Sequence, residues 1–398
     1  MRHFILYFKR NIYFMISIIT LFIAVVFAGT MFFVNDISNP PSSTTLGSVY
    51  LGAYEEDQYD NVINNEITAY IDGAVFEISY QDSMFDIPLS LFEYNHEQTM
   101  SSIIDNQVNQ AYFSISDENK VILEQQLELN FSNRVYSVVN VDDLMSQIIE
   151  DMGHMTSLKQ YQLADYFVED TNQSVLNQVT VRNISVADVS QINQLVDQII
   201  ITPNSRYSIL ENLATLDLTN VQLSVISTGL LEVLAKSHIN GFMFNSNPLI
   251  PSWATIGYNV RILRINQYDF SFFNSFEYTY YVNIEQTGQT SLSFTLTGVP
   301  FVNEYNVEIE NKIIIPRDTI YYENDLLDEF TPNIIIEDAE FETTYLLLLQ
   351  DGYDGSIYYI NRSVTDVFGT TNQYKLYEVQ YNAQSRIYEQ FVVEKGGI

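Results

Sequence analysis

Cysteine is absent from the 398 residues. That excludes disulfides, thiolate metal sites, cysteine nucleophiles and lipid attachment to an N-terminal cysteine. Histidine is scarce: His3, His96, His154 and His238 are scattered and form no metal-ligand spacing such as HExxH. The composition therefore points to no metal and no cofactor. Basic residues are few, 17 Lys and Arg against 50 Asp and Glu, for a formal net charge of −33. Such a surface repels phosphate backbones, so nucleic acid is excluded as a partner. The acidic excess serves solvation or, alternatively, accumulates cations and repels other polyanions. What is abundant is apolar: hydrophobic residues make up 46% of the chain, enough for buried cores. The 29 Tyr and 25 Phe suit strands. The length predicts two or three domains of about 100–200 residues each.

One long apolar run stands near the N-terminus. Residues 12–34 carry no charge, and as a helix they would span about 35 Å, enough to cross a bilayer. Ser17 and Thr20 fit there because their hydroxyls can bond back to the helix backbone. Arg2, Lys9 and Arg10 precede the run and all 50 acids follow it. The positive-inside rule predicts a single-pass anchor with residues 1–11 in the cytoplasm and the rest outside. A cleaved signal peptide is the alternative, with Val26-Phe27-Ala28 as its cleavage site. Residues 35–46, with Pro40-Pro41 and a Ser/Thr cluster, read as a linker.

The external part reads as α+β. A first α+β module covers 47–170. It opens with period-two text at Gly47–Gly52, Glu66–Ile71 and Ala74–Tyr80, and Asp72-Gly73 reads as a hairpin turn between the last two. His96–Gln110 and Val141–Met152 look helical. A second module covers 176–325. Ser185–Ile200 predicts a helix with Ser185 as N-cap, and Val221–Ser237 predicts another ended by Asn240-Gly241. Strands follow at Tyr258–Ile265, Asp269–Phe273, Tyr278–Glu285, Ser291–Leu296 and Val307–Ile315. Residues 326–398 form a β-rich, Tyr-rich C-terminal segment.

The order of pieces in the second module resembles the VanW-like family of exported envelope proteins, over about residues 180–325. Pro203-Asn-Ser-Arg-Tyr207-Ser208-Ile-Leu210 is similar to the family's P-G-E-x-F-S-F-N turn. Val225–Leu234 resembles its V-S-T-T-L-Y-N-A-A-L helix. Ser246-Asn247-Pro248 through Trp253 to Ile262 matches its P-H-S…Y-V-P-L-G-L-D-A-T-V stretch. Asp269–Ile284 matches its strand text best, and Gly298 and Tyr305–Glu310 continue it. The first module is similar, more weakly, to the peptidoglycan-binding-like domain that precedes VanW domains. The resemblance implies a helix and antiparallel-sheet scaffold, and partners in the cell envelope: peptidoglycan or another envelope protein.

Departures from the family fall where chemistry would sit. Some VanW-like proteins are associated with L,D-transpeptidase chemistry through a Cys nucleophile. The family Cys aligns near Leu223, its glycine run near Thr219-Asn220-Val221 and its His near Asn247; Asn259 is a third degenerate position. That chemistry needs a thiolate and a base, which Leu and Asn cannot supply. The resemblance therefore implies the scaffold and no catalytic residues.

Several other candidates remain. Ser224, Ser227 or Thr228 could replace the nucleophile, with His238 as base, or could be capping or core hydroxyls. Trp253, Tyr258, Phe244 and Phe242 could line a groove that stacks on sugar rings, with Ser227 and Thr228, or could be core. Arg261 and Arg264 face opposite sides of a strand and are expected to pair with the protein's own carboxylates. Asp269, Glu277, Glu285 and Glu304 could pair for acid/base work. Asp351-Gly-Tyr-Asp354-Gly355 reads as tight turns rather than a calcium loop. Asp325, Asp328 and Glu329 read as a solvated acidic linker. The leading expectation is a membrane-anchored pseudoenzyme that binds an envelope component. A hydrolase or transpeptidase-type enzyme using a non-Cys site is the alternative, and a purely structural surface protein the second, which predicts no concave pocket beside Asn247 and Trp253.

Overall fold

A computed structural model describes residues 12–38, 42–168, 171, 174–325, 327 and 329–394. The architecture is mixed helix and antiparallel sheet behind an N-terminal apolar helix. That helix, α1, runs Ile12–Ser38. Its 20-residue window Ile12–Met31 has mean hydropathy 2.5 and none of it is buried in the fold. It is long and apolar enough to cross a membrane, a property that signal sequences share. As the sequence predicts, Ser17 and Thr20 donate back to the carbonyls of Phe14 and Ile16, each at 2.8 Å. Residues 1–11, expected in the cytoplasm, lie outside the described residues.

The linker expected over 35–46 is shorter than its composition implies. Helix α1 continues through residues 35–38, and residues 39–41 lie outside the described set. Thr44 is already fully buried, and its Oγ1 accepts from the Asn106 N–H at 2.8 Å. Its Ser/Thr composition suits a linker, but that long-range hydrogen bond fixes residue 44 in the fold.

The chain divides into two compact units, and the division differs from the expected modules. One unit takes residues up to Ile78 with Asp86–Leu123 and Val141–Tyr161; the other takes Ser79–Phe85, Glu124–Asn140 and everything from Gln162. In the first unit, β1 (Thr45–Leu46) pairs with β2 (Val49–Tyr50). Along the chain, helix α2 (Tyr59–Gly73) and β3 (Val75–Tyr80) come next, then β4 (Ser83–Asp86) and β5 (Phe92–Tyr94). After them lie α3 (His96–Ser102), β6 (Val108–Asn109), β7 (Phe113–Ile115) and α4 (Asp117–Tyr136), with β4 up to Phe85 and α4 from Glu124 belonging to the second unit. Helix α5 (Val141–Gly153), which the sequence predicts, and β8 (Leu158–Gln162) complete the series. Glu66–Ile71 is helical, not a strand, and Asp72-Gly73 ends α2 rather than turning a hairpin. The buried residues Tyr59, Ile63, Ile67 and Tyr70 lie on one helical face. Over the six residues 66–71 alone, Ile67 and Ile71 also fit other periods, so the longer window decides.

In the second unit, β9 (Val175–Val181) is followed by α6 (Val186–Leu195) and β10 (Gln198–Ile201). Ser185 does cap α6, accepting from Asp188 N–H at 3.2 Å. The helix expected through Ile200 stops early because Ile199 and Ile201 are buried in a strand that pairs with residues 280–283. Strand β11 (Ser205–Ser208), α7 (Ile209–Leu213), α8 (Asn220–Ala235) and β12 (Asn240–Met243) come next. Asn240-Gly241 thus opens a strand and does not terminate α8. Then β13 (Ser271–Asn274), β14 (Tyr280–Gly288), β15 (Ser291–Thr297) and β16 (Glu304–Ile315) follow. The remaining strands are β17 (Thr319–Glu323), β18 (Ile334–Asp338), β19 (Glu342–Gln350), β20 (Gly355–Thr365), β21 (Thr371–Tyr381) and β22 (Arg386–Glu394).

Helix α8 is the core of this unit. Thirteen of its residues are buried, including Leu223, Leu230 and Leu234, and it packs on the sheet β10-β14-β15-β9. Gly229 permits the approach, since a Cβ there would collide with the Phe294 ring. Two further sheets have orders β11-β13-β12 and β16-β20-β21. The pairing of β16 with β20 crosses the boundary expected at 325, so 176–325 and 326–398 are not separate bodies.

The tie is Arg362 on β20, whose side chain is fully buried. Its Nε donates to the Ala235 carbonyl at 2.8 Å, and one terminal nitrogen reaches the carbonyls of Ile239 at 2.7 Å and Leu234 at 3.4 Å. These are carbonyls at and beyond the C-terminal end of α8, where the helix dipole favours a cation. Arg362→Ala should destabilise the chain by about 3 kcal/mol or more in urea unfolding, because it leaves buried carbonyls unpaired. Arg362→Lys should recover only part, since one ammonium cannot reproduce the fork.

Candidate functional site

The first turn of α8 is fixed by a capping box. Thr219 Oγ1 accepts from Gln222 N–H at 3.2 Å, and Gln222 Oε1 accepts from Thr219 N–H at 2.8 Å. One face of the helix then presents Ser224 and Thr228, four residues apart. The segment after Tyr258, read in sequence as a strand, joins no sheet among the described residues apart from a single bridge at Leu263. Helix hydroxyls take the place of a strand partner. Val260 N–H donates to Thr228 Oγ1 at 3.1 Å, and Ile262 N–H donates to Ser224 Oγ at 2.9 Å. Ser224 in turn donates to the Asn220 carbonyl at 2.7 Å. Between them, Arg261 N–H turns the other way and donates to the Asn245 carbonyl at 2.7 Å. Asn247 and Asn259 join the same two segments: Asn247 Nδ2 donates to Asn259 Oδ1 at 2.8 Å, and Asn259 Nδ2 donates to the Asn247 carbonyl at 3.1 Å.

This arrangement leaves a pocket of about 300 Å³ lined by Asn220, Val221, Ser224, Asn247, Pro251, Trp253, Arg261, Ile262 and Leu263. Of the residues singled out by sequence, Ser224, Asn247, Trp253 and Arg261 meet here, with Asn220 and Val221 of the stretch set against the family's glycine run. The others do not. Leu223 and Ser227 are fully buried, Thr228 and Tyr258 are buried, and Asn259 lies fully buried behind Asn247. Phe244 lines a different cleft of about 430 Å³ with Phe242, Arg206, Asp269 and Tyr377. The single groove expected from Ser227, Thr228, Trp253, Tyr258 and Phe244 is therefore two separate depressions. The reason is that the inward face of α8 is wholly core.

The hydroxyl–histidine pairing does not form. Ser224 and Thr228 are engaged by backbone groups, and Ser227 Oγ is buried with no hydrogen-bond partner. His238 Nε2 lies 2.7 Å from Asn274 Oδ1, and its ring stacks on Phe276 at 4.0 Å. Asn274 Nδ2 donates to the carbonyls of Thr202 and Tyr278, so its oxygen faces the imidazole and Nε2 carries the proton. His238 Nδ1 then has no partner. Burial pulls the His238 pKa down to about 4, against a smaller upward effect of Asn274 and with Arg362 adding to the fall.

Among the described residues neither arginine pairs with a carboxylate, contrary to expectation. Arg264 donates to Asn220 Oδ1 at 3.2 Å and to the Leu218 carbonyl at 2.8 Å, because it sits beside the start of α8. Arg261 lies over the Tyr268 ring, 5.7 Å from its centre, and makes no ion pair among the described residues. Asp269 is engaged by Ser208 Oγ and the N–H groups of Leu210 and Phe270. Glu277, Glu285 and Glu304 are exposed. Asp351 binds Arg386, and Asp354 accepts from Arg317 N–H, both turn contacts. Asp325 and Glu329 are exposed, and Asp328 lies outside the described residues. Among the described residues no group of three His, Asp or Glu could hold a metal ion.

No family model matches this chain, and no curated protein matches it. Among solved structures, the crystal structure of HP0197-G5 aligns with 22% of this chain and 96% of its own, at 18% identity and a TM-score of 0.13. A likeness at that level carries no argument about fold or activity.

Two outcomes test this geometry. Thr228→Val keeps the shape but strands the Val260 N–H, and should lower stability by about 1–3 kcal/mol in urea unfolding. His238 is neutral in the folded state down to about pH 4, while the unfolded chain protonates near 6.5. Its contribution is full above pH 6.5 and is lost as pH falls toward 4, by up to roughly 3 kcal/mol. Melting curves of wild type and His238→Phe between pH 7 and 4.5 should show the wild type losing more stability on acidification.

Proposed function

We propose that this chain is a membrane-anchored, extracellular binding protein of the cell envelope, built on a degenerate VanW-like scaffold. It holds a ligand in the pocket beside Trp253 and does not transform it. The observation that carries this reading is the state of the hydroxyls where the resemblance expects a nucleophile. Ser224 and Thr228 are hydrogen-bonded to the backbone of 260–262, and Leu223 is fully buried beneath them. The pocket itself, with an aromatic wall and a few convergent polar groups, has the character of a small-ligand site. Its presence beside Asn247 and Trp253 disfavours a purely structural protein. Helix α1 supports attachment to a membrane, with the N-terminus inside and both units outside as the charge asymmetry implies. Peptidoglycan is the ligand class that the resemblance favours.

Trp253 is the sole tryptophan, so its emission reports on this pocket alone. The full chain in detergent should co-sediment with purified cell-wall sacculi, and soluble muropeptides should change the Trp253 emission and be recovered intact. Trp253→Ala should weaken retention about tenfold, the effect of losing an aromatic anchor. Muropeptide turnover, or a wild type that does not sediment with sacculi, would overturn the reading.

A further inference from the structure

The pocket beside Trp253 differs electrostatically from the rest of a chain with 50 acids and 17 bases. Its lining contains one basic residue, Arg261, and no acidic residue. Four other depressions of comparable or greater size each carry at least one acid: Glu128, Glu304 and Asp366 in one, Glu285 in another, Asp354 in a third, Asp269 and Glu378 in the fourth. Arg261 is also poised differently from its neighbour. Arg264 is engaged by Asn220 and Leu218, whereas Arg261 rests on the Tyr268 ring without an ion pair among the described residues. Its backbone is held on both sides by the anchored N–H groups of Val260 and Ile262, so the side chain projects from a fixed base. The first turn of α8, at Asn220 and Val221, borders the pocket and adds partial positive charge.

We propose that this pocket recognises a single carboxylate on its ligand, with Arg261 as the group that binds it. The inference rests on the binding role assigned to the pocket above. A guanidinium in a carboxylate-free pocket favours an anion through charge-assisted hydrogen bonds. The overall charge of −33 opposes polyanions, which limits the ligand to one local negative group beside an apolar part that Trp253 and Pro251 can cover. Two sources supply that chemistry: the terminal carboxylate of a short peptide and the carboxylate of a sugar acid.

The test uses the full chain in detergent, read by Trp253 emission and by titration calorimetry. The probes are acetyl-dialanine and its C-terminal amide, and glucuronate and glucose. At least one acid should bind at least about tenfold more tightly than its neutral twin, the size of one charge-assisted contact. The pair that shows the preference identifies the source. Arg261→Gln should bring the acid down to the level of the neutral twin. Arg261→Lys should restore part of the preference, and the unfolding midpoint of each variant verifies its fold. Equal binding of acid and twin, an unchanged preference in Arg261→Gln, or no response to either acid would overturn the proposal. If wild type still sediments with sacculi while showing no acid preference, the binding role stands and only the carboxylate assignment falls. If wild type does not sediment with sacculi, the broader reading fails as well.

Discussion

A positive charge buried without a carboxylate organises the second unit. Taking a guanidinium out of water is costly by several kcal/mol, and an opposite charge is the usual remedy. Arg362 has none. Its nitrogens instead meet backbone carbonyls at the end of α8 and the Tyr374 hydroxyl, and its flat faces approach Phe242 and Tyr305, each with the ring centre 5.9 Å away. Burial pulls its pKa below the ordinary arginine value, but arginine has enough margin to stay charged. A strand near the C-terminal side thereby finishes a helix that begins more than a hundred residues earlier. Because the hydroxyls of that helix hold residues 260–262, the pocket beside Trp253 inherits its backbone from the placement of α8.

The same chain shows how far local pattern carries. Helix α1 is legible from composition alone, since hydropathy needs no partner. Helix α8 and the strands β14 and β15 are also readable, because their apolar character persists over whole elements, and 326–398 is readable as β-rich. Glu66–Ile71 is not: six residues can fit a period of two when Ile63, outside the window, is the residue that reveals the helical face. Tyr258–Ile265 reads as a strand but joins no sheet, because the partners of the Val260 and Ile262 N–H groups are two hydroxyls on a helix, which leave no periodic trace. Nothing local in Tyr-Tyr-Ile-Asn-Arg362 announces a contact with Ala235, so in sequence the C-terminal strands resemble an appendage. At the site, Asn247 and Trp253 are reached through the family resemblance. Arg261 is noticeable only as a rare base, and its rarity is more informative than its spacing.

Charge is partitioned by depth. Arg362, charged, and His238, neutral, are buried beside aromatic rings and amides. Most acids lie on the exposed surface, with Asp151 an exception that Lys159 and the Tyr161 hydroxyl accompany. Half-buried Glu232 has its pKa raised, first by desolvation, which is the penalty that keeps other carboxylates outside. A large negative net charge is thus compatible with an ordinary core.

The four-stranded sheet β17-β22-β19-β18 has a chain order unlike its spatial order. Strand β22 pairs in parallel with β17 and antiparallel with β19, so it lies between two elements made before it. A ribosome delivers β17, β18 and β19 first. Until β22 emerges, β17 and β19 each present a bare edge of unpaired amide and carbonyl groups bearing Ile320, Tyr321 and Leu346. The nascent polypeptide therefore passes through an interval of heightened stickiness that ends only once β22 has emerged to pair with both.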